Sequence, residues 1–167
     1  LHRLPVWQKC GWRQKSRWWD QRTRRRRDSP QARQEAGALT ALLVDTGPLV
    51  ALADRRDNAH EKCKSFLAAY RGRLLTTWAV LTEFSHLAPS IAATLPLYRW
   101  IEKGGLELLP LGRDELVRAI DWIEKYADRP MDLADASLVV AAMATGIHTV
   151  WTLDRNDFET YRLPGRK

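Results

Sequence analysis

Cysteine is scarce in this chain: Cys10 and Cys63 are the only two in 167 residues, and they do not form a CxxC spacing. That scarcity argues against a disulfide framework or a thiolate zinc site. His2, His60, His86 and His148 show no metal-ligand spacing either. No apolar run approaches the roughly 20 residues that a membrane-spanning helix needs, and residues 1–37 lack the apolar centre of a secretory signal. The expectation is a cytoplasmic protein with no membrane partner. Neither a GxxxxGKS/T loop nor a GxGxxG turn is present, which removes the commonest nucleotide-cradling devices. Methionine is absent before Met131. A start at Leu39 or nearby, opening directly on the first strand, is one reading of that absence, and an N-terminal stretch foreign to the native protein is its corollary.

What is present divides unevenly. The net charge is +7, but of the 27 basic and 20 acidic side chains, residues 1–37 carry 11 and 3. Residues 38–167 therefore hold 16 against 17 and are close to neutral. Trp7, Trp12, Trp18 and Trp19 precede the run Arg24 to Arg27 without helical or strand periodicity, so residues 1–38 read as a basic, disordered extension. Arginine interleaved with tryptophan suits RNA through phosphate contacts and base stacking. Residues 39–167 read as one folded domain, a length that supports a single sizeable core.

From Thr40 onward, short apolar runs alternate with amphipathic stretches. Strands are expected at Ala41–Asp45, Leu74–Thr77, Leu106–Leu111 and His148–Thr152. A helix begins near Pro48, where a missing N–H costs nothing. Further helices are expected over Asn58–Tyr70, with Phe66, Leu67 and Tyr70 on one face, over Ala79–Leu87, and after Pro89, where Pro96 should kink or split the helix. Asp114–Tyr126 should be helical with Leu116, Val117, Ile120 and Ile123 inward, and Leu133–Thr145 helical and stopped by Gly146. Strands separated by helices of this length imply an α/β fold, three layers with a central parallel sheet.

In such sheets ligands gather at the carboxyl ends of the strands. Asp45 closes the first strand and Asp154 follows the last. Asp132 and Asp135 precede the apolar run Leu138 to Met143; Asp132 is placed as a helix N-cap, and Asp135 suits the positive end of the helix dipole or a functional site. Glu83 is out of character in the mainly apolar stretch Trp78 to Leu87, where a solvated helix face and a functional carboxylate are equally open readings. Asp157 reads as a turn residue or a supporting acid. Carboxylates that converge repel one another unless a cation sits among them, and an oxygen-only set selects Mg²⁺ or Mn²⁺.

Four segments now stand in order: Leu43 to Val50 (LVDTGPLV), Leu81 to Phe84 (LTEF), Asp132 to Leu138 (DLADASL) and Thr152 to Phe158 (TLDRNDF). Together they resemble the PIN-domain family, in its VapC-type toxin branch, over about residues 41 to 163. The resemblance implies a PIN-like α/β/α domain across residues 39–167 and an acidic metal site of Asp45, Glu83, Asp135 and Asp154. It also implies Mg²⁺ or Mn²⁺ as cofactor, endonucleolytic cleavage of RNA, and a VapB-like antitoxin that blocks the site. Asp132 competes with Asp135 for the third position; the pair Asp135-Ala136 favours Asp135. Thr46 and Thr152 are candidates to orient water or phosphate, and Arg55, Arg56, Arg129 and Arg155 to hold RNA at the rim or to be ordinary solvated charges. The family commonly dimerises.

Rival readings are weaker. Asp45-Thr46-Gly47 also resembles the triplet of aspartic proteases, but that fold is all-β and the helical patterns that follow oppose it. Ser85 and His86 are adjacent on one helix and point too far apart for a nucleophile and its base. The rival of another class is a catalytically inactive PIN-like module that binds nucleic acid.

Overall fold

In the computed structural model the described residues are 41–128 and 131–154. The basic extension, Arg129, Arg155 and Asp157 lie outside them. Four parallel strands form one sheet in the order β3-β2-β1-β4: β1 Ala41–Val44, β2 Arg73–Thr77, β3 Glu107–Leu109 and β4 Val150–Trp151. The helices between them are α1 Thr46–Ala53, α2 His60–Ala69, α3 Trp78–Leu87, α4 Ile91–Glu102, α5 Arg113–Lys125 and α6 Leu133–Thr145. The architecture is thus the expected α/β/α arrangement. The chain advances from β1 to β2 to β3 in one direction, then returns past both to add β4 on the far side of β1. With right-handed crossovers, that reversal carries the later helices to the other face of the sheet.

β1 and β2 are the two central strands; β1 reads as a continuous apolar run, and β2 is buried from Leu74 to Thr77, because both faces of the sheet are covered. Leu43, Val44, Leu75 and Thr77 are essentially inaccessible. The core around them draws Leu49 from α1, Val80 and Phe84 from α3, Leu106 before β3, and Leu138, Ala141 and Ala142 from α6. A second cluster lies between α5 and α6: Ala119 and Trp122 meet Met131, Ala136, Val139 and Val140. Helix α6 therefore packs on two sides, which explains a sequence almost apolar all round. It ends where Gly146 takes a left-handed φ of 73° and returns its N–H to the Ala142 carbonyl, the conformation that favours glycine.

Two expectations give way. Pro96 does not split α4, which runs as one helix from Ile91 to Glu102; the hydrogen bond lost at its missing N–H is local, and the helical ladder resumes beyond it. On α5 the inward face is the wrong one of two interleaved stripes. Leu116, Val117 and Ile120 are 48%, 51% and 45% exposed, Ala119 and Trp122 are buried, and Ile123 is half-buried as expected. The physical reason is size matching: the small side chains of α6 accept the indole of Trp122, whose burial removes more apolar area than any one aliphatic on the other stripe. Tyr126 stacks on Trp122 with ring centroids 5.8 Å apart, and the Lys125 ammonium lies 4.5 Å from the indole centroid.

This assignment of faces predicts unequal costs. Trp122→Ala should destabilise by about 3–5 kcal/mol, whereas Ile120→Lys should stay within about 0.5 kcal/mol of the parent. Urea unfolding of the two variants measures both; equal losses would restore the other face.

Candidate active site

Asp45 stands at the carboxyl end of β1, where β2 and β4 depart to opposite sides. This is the switch point at which an open parallel sheet leaves a crevice. Its backbone N–H donates to the Trp151 carbonyl (3.1 Å), so β4 is fixed beside it. Its side chain caps α1: Oδ1 accepts the Thr46 N–H at 2.7 Å, and Oδ2 accepts the Thr152 hydroxyl at 2.8 Å. The residue is 9% exposed.

Glu83 is half-buried on α3, not on a solvated face, and its Oε2 accepts the Thr46 hydroxyl at 2.6 Å. Thr46 thus binds Asp45 through its backbone and Glu83 through its side chain. Asp132 caps α6 by accepting the Asp135 N–H at 2.8 Å, as the cap reading requires. Its negative charge also raises Glu83. Asp154 is exposed; its N–H donates to the Thr152 hydroxyl oxygen at 2.9 Å, which ties it to the Asp45 partner. Asp135 is half-buried in the first turn of α6.

Electrostatics records the crowding. Burial pushes the Asp45 carboxyl above its usual range; the bonds from Thr152 and Thr46 oppose this, and the negative charges of Asp132 and Asp154 add to it. Glu83 is raised as well, first by burial and then by Asp132 and Asp45, against the bond from Thr46. The charges of Asp132 and Asp154 thus bear on Asp45, and those of Asp132 and Asp45 on Glu83. The sequence treated Asp132 chiefly as a cap; its second effect falls on Glu83, which lies in another helix. Thr46 and Thr152 turn their hydroxyl protons to carboxylates.

A hard divalent cation suits this donor set, which is all oxygen and short of positive charge. Among the described residues no three His, Cys, Asp or Glu side chains already form a coordination shell. The fit thus lies in the donor chemistry and in the repulsion that a cation would relieve. Of the rim candidates, Arg56 is forked onto Asp54 at 3.2 and 3.3 Å. Arg55 is exposed and, with Leu52, His60, Glu61 and Lys64, lines a cavity of about 530 Å³. Among the described residues no helix is long and apolar enough to cross a membrane.

Comparison with known proteins agrees with the fold. A family model described as the PIN domain matches residues 42–163. Ribonuclease VapC26 of Mycobacterium tuberculosis is 28% identical over 124 residues, covering 72% of this chain and 92% of that protein. The crystal structure of Mycobacterium tuberculosis VapC20, described as a sarcin–ricin-loop-cleaving toxin, superposes with a TM-score of 0.65 at 21% identity, over 71% of this chain and 92% of that one. At that identity the superposition speaks to the fold.

The raised carboxyls predict a pH dependence of one sign. An acid whose folded pKa exceeds its unfolded value holds its proton more tightly in the native state. Stability is therefore greatest below the unfolded pKa and falls as pH rises through the folded one. In EDTA at about pH 7, Asp45→Asn should melt about 2–4 °C above the parent. The gap should close as pH is lowered below the ordinary aspartate value of 3.8. Calorimetry across that range checks this, and a variant less stable at every pH would contradict it.

Proposed function

The chain belongs to the PIN-domain family, and from that premise we propose that it is an endoribonuclease that hydrolyses RNA phosphodiester bonds as the toxin of a toxin–antitoxin pair. The observation that carries the proposal is the burial of Asp45 at the strand switch point, with Glu83, Asp132 and Asp154 close enough to perturb it or one another. A fold does not assemble such charges for stability, since each raises the cost of the next.

The residues divide the work by position. Asp45, with Glu83, Asp154 and one or both of Asp132 and Asp135, holds Mg²⁺ or Mn²⁺. Thr152 and Thr46 fix the Asp45 carboxylate through its two oxygens, and Thr46 also fixes Glu83 through Oε2. The chemistry that Mg²⁺ or Mn²⁺ would supply when bound by these carboxylates is charge neutralisation, activation of a water for in-line attack on phosphorus and stabilisation of the leaving oxygen. Without that neutralisation an acidic centre in a nearly neutral domain repels the RNA backbone.

The partners follow from the class. RNA is the proposed substrate, the cytoplasm the proposed location, and a VapB-like antitoxin the proposed inhibitor. The exposed apolar side chains Ile91, Leu95 and Tyr98 on α4 and Leu116, Val117 and Ile120 on α5 support protein contacts of this kind, with the antitoxin or with a second copy.

The test is cleavage of a mixed RNA pool by the antitoxin-free protein and by Asp45→Asn, each with Mg²⁺, Mn²⁺ or EDTA. Cleavage should require both metal and Asp45, with a loss of about 10³-fold or more in the variant and an unchanged circular-dichroism spectrum. RNA bound but left intact by the parent under every condition would favour a binding module.

A further inference from the structure

Two hydroxyls buried in the core, Thr77 and Ser137, hydrogen-bond each other at 2.6 Å across a sequence separation of 60 residues. The direction of that bond follows from its neighbours. Ser137 donates its proton to the Ala134 carbonyl within α6 at 2.7 Å, so the proton between the two hydroxyls is that of Thr77. The Thr77 oxygen in turn accepts the Val80 N–H at 3.3 Å, capping α3. Each hydroxyl thus donates once and accepts once, and among the described residues no buried side-chain polar atom lacks a partner.

The pair stands where two helices cross in opposite directions. Thr77 at the start of α3 meets Ser137 in α6; Glu83, six residues later on α3, feels the charge of Asp132, five residues earlier at the α6 N-cap. The two pairs are therefore about one and a half helical turns apart on the same pair of helices. The apolar contacts between α3, α6 and the sheet are non-directional, so they hold the slide of one helix along the other less sharply than a hydrogen bond, whose distance and angle are narrowly set. A slide of one residue moves a carboxylate by about 1.5 Å, whereas cation coordination tolerates about 0.2 Å. The preceding residue of β2 points the other way: Thr76 donates to the Val44 carbonyl at 2.9 Å, next to Asp45. The same strand end thus anchors both sides of the carboxylate group.

We propose that Thr77 and Ser137 are positioning residues, a buried hydroxyl bond that sets the register of α3 against α6 and so the separation of Glu83 from Asp132 at the cation site. This rests on the reading of those carboxylates as a cation site, and the experiment separates the two. Metal-free parent, Ser137→Ala and Thr94→Ala are titrated with Mn²⁺, the free ion is read by electron paramagnetic resonance, and folding is monitored by thermal melting. Ser137→Ala keeps the cap on α3 and removes the bond between helices. Thr94, a buried hydroxyl bonded at 2.8 Å to the Ile91 carbonyl of its own helix, is the control for a merely structural loss. Mn²⁺ binding should weaken about tenfold in Ser137→Ala, stay at the parental value in Thr94→Ala, and be retained by Thr77→Ser but not by Thr77→Val. Folded Ser137→Ala that binds Mn²⁺ as tightly as the parent would overturn the register proposal and leave the cation site standing. If Ser137→Ala does not fold, equal affinities of Thr77→Ser and Thr77→Val overturn it instead. A parent that binds no Mn²⁺ would overturn both.

Discussion

Several carboxylates are brought to one end of a buried sheet, at a point from which neither strand can retreat. Asp45 follows a strand hydrogen-bonded on both sides, so its backbone has no freedom to carry the charge toward solvent. The surrounding structure softens the cost without removing it. Asp45 and Asp132 each cap a helix, where the free N–H groups and the dipole favour negative charge. Thr152 and Thr46 add hydroxyl donors to Asp45 and Glu83. Burial and mutual repulsion still prevail, since both acids remain above their ordinary range. That residual imbalance is what a cation would relieve.

The rest of the architecture serves this convergence. Adding β4 beside β1 after β2 and β3 are in place brings Thr152 and Asp154 to the same end as Asp45. The apolar α6 is clamped between the sheet core and α5, which fixes the direction of its N-terminus and hence of Asp132. Helix α3 supplies Glu83 and is held to α6 through Thr77 and Ser137. Packing thus brings the elements together, and directional polar bonds set the last ångström.

The parts legible in the sequence are those that depend on one segment at a time. Continuous apolar strands, an acid closing the first strand, an N-cap before α6 and a glycine after it are local patterns, and each appears where its chemistry demands. The strand ends drift by a residue or two because pairing to a neighbour, not composition, decides where a ladder stops. Glu83 was visible as an anomaly but ambiguous, since its partner Thr46 lies 37 residues away. Asp132 was legible as a cap and as a rival of Asp135 for the site, but a cap by itself explains an aspartate, so nothing local chooses between the two or shows its effect on Glu83. The face of α5 was illegible for a related reason, because two stripes compete and the winner depends on the shape of α6. Thr77 and Ser137 give no local sign of pairing at all.

The central claim is that these carboxylates are a cation site, and crystals grown with Mn²⁺ test it most directly through the anomalous scattering of the ion. An anomalous peak bounded by Asp45, Glu83 and at least one aspartate from the α6 N-terminus or Asp154, at about 2.0–2.6 Å from their oxygens, is the predicted result. A fully occupied lattice of folded protein with no peak there, together with RNA cleavage that persists in EDTA, would contradict it.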